Sequence, residues 1–299
     1  MFPSNPDELM DHQSRLLLID GNALAYRAFF AIRELTTGDG TPTNAVFGFI
    51  RMVQQLHRQW TPSHVVVVFD GGLPEERMAL LPTYKAQREA MPDALSDQFP
   101  LIEEYLLHAR IPMIREDKQE ADDVMATLAM VACEAGADVL LATSDKDMFQ
   151  LVDDRISIIP PTKSEIRMDA EAVREKTGVA PSAIAEWLAL IGDSSDNIPG
   201  VPGVGPKTAA KLLNAYGSIA GVYARLDDIK QDKLRESLRA HEEDVLRNLR
   251  MTRLRVDLPF AVDWESWKSQ AADAKALHAF FRRMEFNSMA RELESPSLF

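Results

Sequence analysis

Short, continuously apolar runs alternate with longer amphipathic stretches through the first half of the chain. Arg15–Asp20, His64–Asp70, Ala137–Ser144 and Ile156–Ile159 are rich in Val, Ile and Leu and are bounded by polar or turn residues, so each predicts a strand buried on both faces. Val46–Trp60 and Asp122–Ala135 carry helical spacing, the second followed by Gly136 as a stop. Strands of this kind separated by helix-length segments predict an α/β fold, with a mostly parallel central sheet flanked by helices. Between Gly71 and Pro100 the pattern breaks: Gly71, Gly72, Pro74, Pro82, Pro92 and Pro100 punctuate short helical pieces, which predicts a mobile insertion. From about Ala180 the character becomes helical. A helix opens at Pro181 and ends near Gly192, and Gly200–Pro206 forms a tight turn before a helix over Lys207–Tyr216.

The expected organisation is therefore a tail over 1–14, an α/β core over 15–180 with an arch over 71–100, a helical unit over 181–290 and a tail over 291–299. With 46% hydrophobic and 26% charged residues, 299 residues describe an ordinary globular chain. A single cysteine, Cys133, excludes a disulfide-stapled scaffold and fits a reducing cytoplasm. The longest uncharged apolar stretch, Val124–Cys133, is half a membrane span, and the polar N-terminus does not read as a signal peptide, so no membrane partner is expected.

Net charge changes the picture. The chain carries 33 Lys and Arg against 46 Asp and Glu, a balance of −13 that argues at first against a nucleic-acid partner. The acids, however, are not scattered. Asp20 and Asp70 end predicted strands, Asp145 and Asp147 follow a third, and Glu120, Asp122 and Asp123 open the helix before it. Asp193 and Asp196 add a pair three residues apart, after a helix able to fold back on the sheet. Ligands of open α/β sheets bind beyond the carboxyl ends of the strands, so these nine acids should meet at one edge. A strand-end Asp alone is more often a helix cap than a ligand. Repetition across five segments is what favours ions. Carboxylates at close quarters resist joint ionisation, and donors that are all oxygen suit Mg²⁺ or Mn²⁺; two such ions serve in-line phosphoryl displacement. Setting the nine aside takes the balance from −13 to −4, and two divalent ions would leave the rest of the surface near neutral.

Gly200–Thr208 is neither a P-loop nor a dinucleotide turn, since Lys207 follows Pro206 and no strand precedes it. Its glycines allow close backbone approach to a phosphate, and the stretch from Asn197 to Leu226 holds Lys207, Lys211 and Arg225 with no acid. A helix hairpin needing glycines only for geometry is the plainer alternative. As a ligand site it would read duplex backbone and not base sequence.

Together, Leu18–Asn22, Tyr26–Phe29, Val68–Asp70, Tyr84–Arg88, Glu120–Asp123, Ser144–Met148, Gly192–Asn197 and Gly200–Thr208 resemble the bacterial 5′-nuclease (flap endonuclease) family, which includes the N-terminal nuclease domain of bacterial DNA polymerase I. The resemblance runs from about Arg15 to Pro259 and is similar to a free-standing member with no polymerase attached. It implies a PIN-like nuclease core, a helical arch and a helix–three-turn–helix unit. Asp20, Asp70, Glu120, Asp122, Asp123, Asp145, Asp147, Asp193 and Asp196 occupy the family's metal-ligand positions. Lys85 and Arg88 match the arch's basic pair, Tyr84 a base-stacking position, and Arg27 a residue facing the scissile phosphate. Gly203, Gly205, Lys207 and Thr208 match the DNA-contacting turn, and Val201 and Val204 fall where relatives hold K⁺ on backbone carbonyls. The implied function is metal-dependent hydrolysis of DNA at a 5′ flap, nick or free 5′ end, in replication and repair, by a monomer in the bacterial cytoplasm near the nucleoid.

Three rivals remain. A DNA-structure binder has no use for so many anions beside phosphate. A PIN-type ribonuclease would lack the glycine hairpin and the Tyr84–Arg88 segment, and a haloacid-dehalogenase phosphatase would need a second Asp two residues after Asp20.

Overall fold

The computed structural model describes residues 14–259 and 262–294. Five parallel strands form the central sheet in the order β3-β2-β1-β4-β5. They are β1 (Arg15–Asp20), β2 (His64–Phe69), β3 (Met113–Arg115), β4 (Asp138–Ala142) and β5 (Ile156–Ile158). Four agree with the strands expected from the sequence, to within a residue or two at their ends. The fifth, β3, is a three-residue, largely exposed edge strand with too short an apolar run to announce itself.

The register explains why the strands read as unbroken apolar runs. Leu18 pairs with Val66 on one side and Leu141 on the other, so β1 lies at the centre. Leu16, Leu18, Val66 and Val68 face one core, and Leu17, Ile19, Val65 and Val67 face a second. Neither face is left for polar side chains. Each such fully buried aliphatic residue contributes ~1.5–3 kcal/mol.

Helices α1 (Gly21–Ala31), α2 (Asn44–Trp60), α3 (Glu75–Leu80), α4 (Asp93–Ser96), α5 (Phe99–Ala109) and α6 (Ala121–Glu134) complete the α/β half. The α2 N-terminus has no side-chain cap of its own. Gln98, wholly buried, supplies one, accepting from the Ala45 N–H at 2.7 Å and the Val46 N–H at 3.2 Å, which pins the far end of the arch to the core.

The helical half holds α7 (Ala170–Thr177), α8 (Ile184–Ile191), α9 (Pro206–Tyr216), α10 (Ile219–Ala224), α11 (Asp232–Ala240) and α12 (Glu242–Thr252), with a two-residue antiparallel hairpin of β6 (Gly192–Asp193) and β7 (Ile198–Pro199). Next, α13 (Trp264–Trp267) leads to a bridge between Lys268 and His64, at the start of β2. Then α14 (Ala274–Arg283) and α15 (Asn287–Glu294) pack Leu277, Phe280, Phe281 and Met289 into the core formed by α2, α5 and the sheet. The end of the expected helical unit over 181–290 therefore belongs to the α/β half, because the Phe280–Phe281 pair has its apolar partners there. The expected tail at 291–299 begins inside α15; residues 295–299, like residues 1–13 of the expected N-terminal tail, lie outside the described residues. Among the described residues, no helix is long and apolar enough to cross a membrane.

Candidate active site

The chain runs outward from β1 to β2 and β3, then returns to the other side of β1 for β4. The reversal opens a crevice beyond the carboxyl ends of β1 and β4, the usual place for a ligand in an open α/β sheet. Asp20 closes β1 and caps α1, accepting from the Ala23 N–H at 2.8 Å, while its other oxygen accepts from the Thr143 hydroxyl at 3.2 Å. Asp70 follows β2. Its N–H donates to Asn22 Oδ1 at 3.0 Å and its Oδ1 accepts from the Ala121 N–H at 2.9 Å, so it ties the end of β2 to the first turn of α6. Asp122 lies in that turn. Asp145 and Asp147 follow β4, joined by an Asp147 N–H to Asp145 Oδ1 bond of 2.8 Å.

These carboxylates crowd one another. Burial, with the charges of Asp70 and Asp145 added, pushes the Asp20 carboxyl up to about 7. Burial and then Asp145 raise Asp122 and Asp147 well above the ordinary carboxylate range, and burial with Asp196 and Asp193 raises Asp145. One oxygen of Asp147 is buried with no hydrogen-bond partner.

A second group sits against the first. Carboxylate oxygens of Asp147, Asp193 and Asp196 all lie within 4.8 Å of one another, a set able to hold a metal ion. The β6–β7 hairpin presents the last two. Burial alone would raise Asp193, but the Ser195 hydroxyl at 2.6 Å, its N–H at 2.9 Å and Lys146 Nζ at 3.2 Å hold it below the usual range. The hairpin has its shape because Gly192, at φ +74°, and Gly200 press backbone against backbone; a Cβ on Gly192 would lie 2.3 Å from Gly200 N, and one on Gly200 2.1 Å from Ile191 O.

The arch folds down over this edge. Lys85 ion-pairs with Glu120 and lies 3.8 Å from Asp196; Arg88 Nη2 bonds Asp196 Oδ1 at 2.8 Å. Lys85 adopts the left-handed conformation, φ 54°, with its N–H donating to Asp196 O at 3.0 Å. Asn197, also left-handed, donates to Thr83 O at 2.7 Å and accepts from Gln87 at 2.5 Å. Desolvation would raise Glu120 and lower Lys85. Their mutual attraction, helped by Arg77 on Glu120 and Asp196 on Lys85, reverses both shifts and keeps both groups charged.

Two of the expected site residues, Tyr84 and Asp123, are buried. Tyr84 was expected to offer its ring to a base. Instead it is 4% exposed, packed with Ile198 and Met251, and its hydroxyl donates toward Glu120 Oε1 at 3.0 Å with Asp196 Oδ2 at 3.2 Å. The hydroxyl draws the ring inward because two buried acceptors await it. Asp123 was expected among the metal ligands. It is 0% exposed and fully engaged by Arg77, with bonds of 2.7 and 2.8 Å, and by the Arg255 N–H at 3.0 Å. No motif in the sequence marks Arg77 for this contact.

Arg27 lies exposed on α1 beside a hollow of about 480 Å³ that Tyr26, Phe30, Ser144 and Pro161 also line. The glycine turn starts at Gly200, against the hairpin that carries the acids, and runs out to the surface. Gly203 stands exposed at φ +83°, Gly205 caps α9 through its backbone, Lys207 is exposed and Thr208 half-buried. The side chains of Val201 and Val204 are buried, and the Val204 N–H donates to Val201 O at 2.9 Å.

Comparison with known proteins places this geometry. A family model described as the 5′-3′ exonuclease N-terminal resolvase-like domain matches residues 15–178, and one described as the 5′-3′ exonuclease C-terminal SAM fold matches residues 179–275. The chain is 37% identical to a 5′-3′ exonuclease of Aquifex aeolicus over 279 residues, covering 93% of this chain and 95% of that protein. It is 39% identical to DNA polymerase I of Bacillus caldotenax over 288 residues, or 95% of this chain, but spans only 33% of that protein. The fold is similar to that of T5 D15 protein, co-crystallised with metal ions, at a TM-score of 0.68 and 22% identity, covering 94% of this chain and 100% of the other.

Proposed function

The chain belongs to the 5′-3′ exonuclease family, and from that premise we propose that its acidic edge binds two or more Mg²⁺ or Mn²⁺ ions and cleaves DNA near a 5′ flap, nick or free 5′ end. The chain is a phosphodiesterase by family. The observation that carries the metal reading is the buried carboxylate set itself. Asp20, Asp122, Asp145 and Asp147 are held where burial and mutual repulsion oppose their charge, and an oxygen of Asp147 lacks any partner. Hard divalent cations satisfy both conditions. Asp20, Asp70, Asp122 and Asp145 would hold one ion, and Asp147, Asp193 and Asp196 another, with Glu120 bordering both. When bound, such ions activate water and neutralise charge at a phosphate.

The chain's own residues do the rest. Lys85 and Arg88 lie on Glu120 and Asp196, the same edge at which a scissile phosphate would sit. Once cations take over those carboxylates, both basic groups are freed to turn to the phosphate oxygens, where charge accumulates in the transition state. Arg27, exposed on α1 in the hollow that Ser144 also lines, would add a further contact to the phosphate. The contacts of Thr83 and Gln87 with Asn197 tether the arch to the hairpin that carries Asp193 and Asp196. Gly203, Gly205 and Lys207 offer exposed backbone and one cation to a duplex backbone, Thr208 adds its hydroxyl because its N–H already donates to Gly205 O at 3.0 Å, and the Val201 and Val204 carbonyls would be the K⁺ site. The protein acts as a monomer in the cytoplasm, with no membrane partner.

The test is cleavage of a 5′-flapped DNA duplex, with and without Mg²⁺, beside a flapped RNA and a phosphomonoester. Mg²⁺-dependent cleavage of the DNA near the junction is expected. Turnover of the monoester alone, or cleavage undiminished in EDTA, would overturn the reading.

A further inference from the structure

Arg77, already met on Glu120 and Asp123, is heavily bonded. It lies in α3, at the foot of the arch, and is 7% exposed. Its guanidinium grips both oxygens of Asp123, Nη1 to Oδ2 at 2.7 Å and Nη2 to Oδ1 at 2.8 Å. Nη1 also ion-pairs with Glu120, Nε donates to Met251 O at 3.1 Å and Nη2 to Arg253 O at 3.4 Å. One side chain thus joins three segments: the arch foot, the acidic start of α6 and the end of α12.

We propose that Arg77 and Asp123 form a positioning pair that orients Glu120 and anchors the arch, and that Asp123 is not itself a metal ligand. This rests on the metal-dependent nuclease reading above. Three donors already meet the two Asp123 oxygens, and no solvent-accessible surface remains on the residue. The carboxylates whose oxygens gather within 4.8 Å are those of Asp147, Asp193 and Asp196. Transferring Asp123 to a cation would leave the Arg77 guanidinium buried with Glu120 as its one remaining carboxylate partner. Breaking a buried ion pair costs more than replacing both of its members with apolar groups of similar size. Glu120 gains from the arrangement. Arg77 holds one of its oxygens, so the other meets Lys85 from a fixed direction.

The experiment uses the full chain in four forms: wild type, Arg77→Met, Asp123→Leu and the double variant. Urea unfolding in EDTA and Mn²⁺ binding by electron paramagnetic resonance are read on each, with single-turnover cleavage of a 5′-flapped duplex in saturating Mg²⁺. Either single substitution is expected to lower the unfolding midpoint, and the double variant to recover most of that loss. The double variant binds as many Mn²⁺ ions as wild type but cleaves at least about tenfold more slowly, because Glu120 has lost its support. Fewer bound ions in the double variant would make Asp123 a ligand and overturn the proposal; wild-type cleavage would overturn the positioning role. Should the double variant not fold, Asp123→Asn, which still accepts from Arg77, decides by the same ion count. A wild-type protein that binds Mn²⁺ and cleaves no flap defeats the nuclease reading, while ion count and pair coupling still decide the role of Asp123.

Discussion

Replacing Asp20 with Asn should make the metal-free protein more stable while ending its activity. Burial pushes the Asp20 carboxyl from 3.8 up to about 7 in the folded chain. That interval corresponds to roughly 4 kcal/mol disfavouring the charged, folded state. The folded-state pKa is raised, so the group's favourable contribution is complete below 3.8 and is lost as pH rises through about 7. At pH 8 nearly all of the penalty applies, whereas at pH 5 the folded carboxyl is mostly protonated and less than about 2 kcal/mol remains. Asn carries no charge at either pH, and its oxygen still accepts from Ala23 N–H to cap α1. His57 and His64, whose burial depresses their basicity, titrate in the opposite sense over this window. They are common to both proteins and cancel in the difference. Equilibrium urea unfolding in EDTA should therefore show Asp20→Asn more stable by roughly 2–4 kcal/mol at pH 8, with a gain smaller by about 2–3 kcal/mol at pH 5. Mg²⁺ should then stabilise wild type and leave the variant little changed. Equal stability of the two proteins at pH 8, or a gain indifferent to pH, would refute the account of a carboxylate held charged only by bound cations.

Lys85→Ala should slow single-turnover cleavage at least about tenfold while changing the Kd for flapped DNA by no more than about threefold, and the reverse pattern would make Lys85 a binding residue. Tyr84→Phe should cost ~1 kcal/mol of stability through the hydroxyl that reaches Glu120 and Asp196, with DNA affinity unchanged; a large loss of affinity would restore the ring to a stacking role. Lys207→Glu should weaken duplex binding most at low salt and reduce the slope of log K against log salt by about one, measured by fluorescence anisotropy. An unaltered slope would take the turn out of the interface.

Much of the site is legible in the sequence because its acids terminate strands. A parallel sheet brings the carboxyl ends of β1, β2 and β4 to one edge, so Asp20, Asp70, Asp145 and Asp147 need no structure to be grouped. What was missed depends on contacts between distant segments. Arg77 meets Glu120 and Asp123 across separations of 43 and 46 residues, and nothing within its own proline-punctuated segment marks it as buried. Asp122 and Asp123 are adjacent in sequence and alike in chemistry, yet α6 turns one toward Asp20 and Asp145 and the other into the Arg77 fork. Only side-chain direction on the helix separates them. The burial of Tyr84 escapes the sequence for a related reason, since a tyrosine on an insertion looks exposed until its hydroxyl finds buried acceptors. The placement of α14 and α15 follows from an apolar face whose partners, α2 and α5, precede them by more than a hundred residues.

At Gly192 and Gly200 the turn that leads into α9 and the strand that carries Asp193 touch main chain to main chain, with no side chain between them to yield. Soft packing absorbs a shove by rotamer changes, but two polypeptide backbones in contact have no such cushion. If a double helix seats on the exposed Gly203 and Gly205 as proposed, a displacement of that turn would press on the backbone beside Asp193 with no side chain to take it up, coupling grip to ion custody. A methyl group at either position would mimic the loss of acids that it leaves chemically intact.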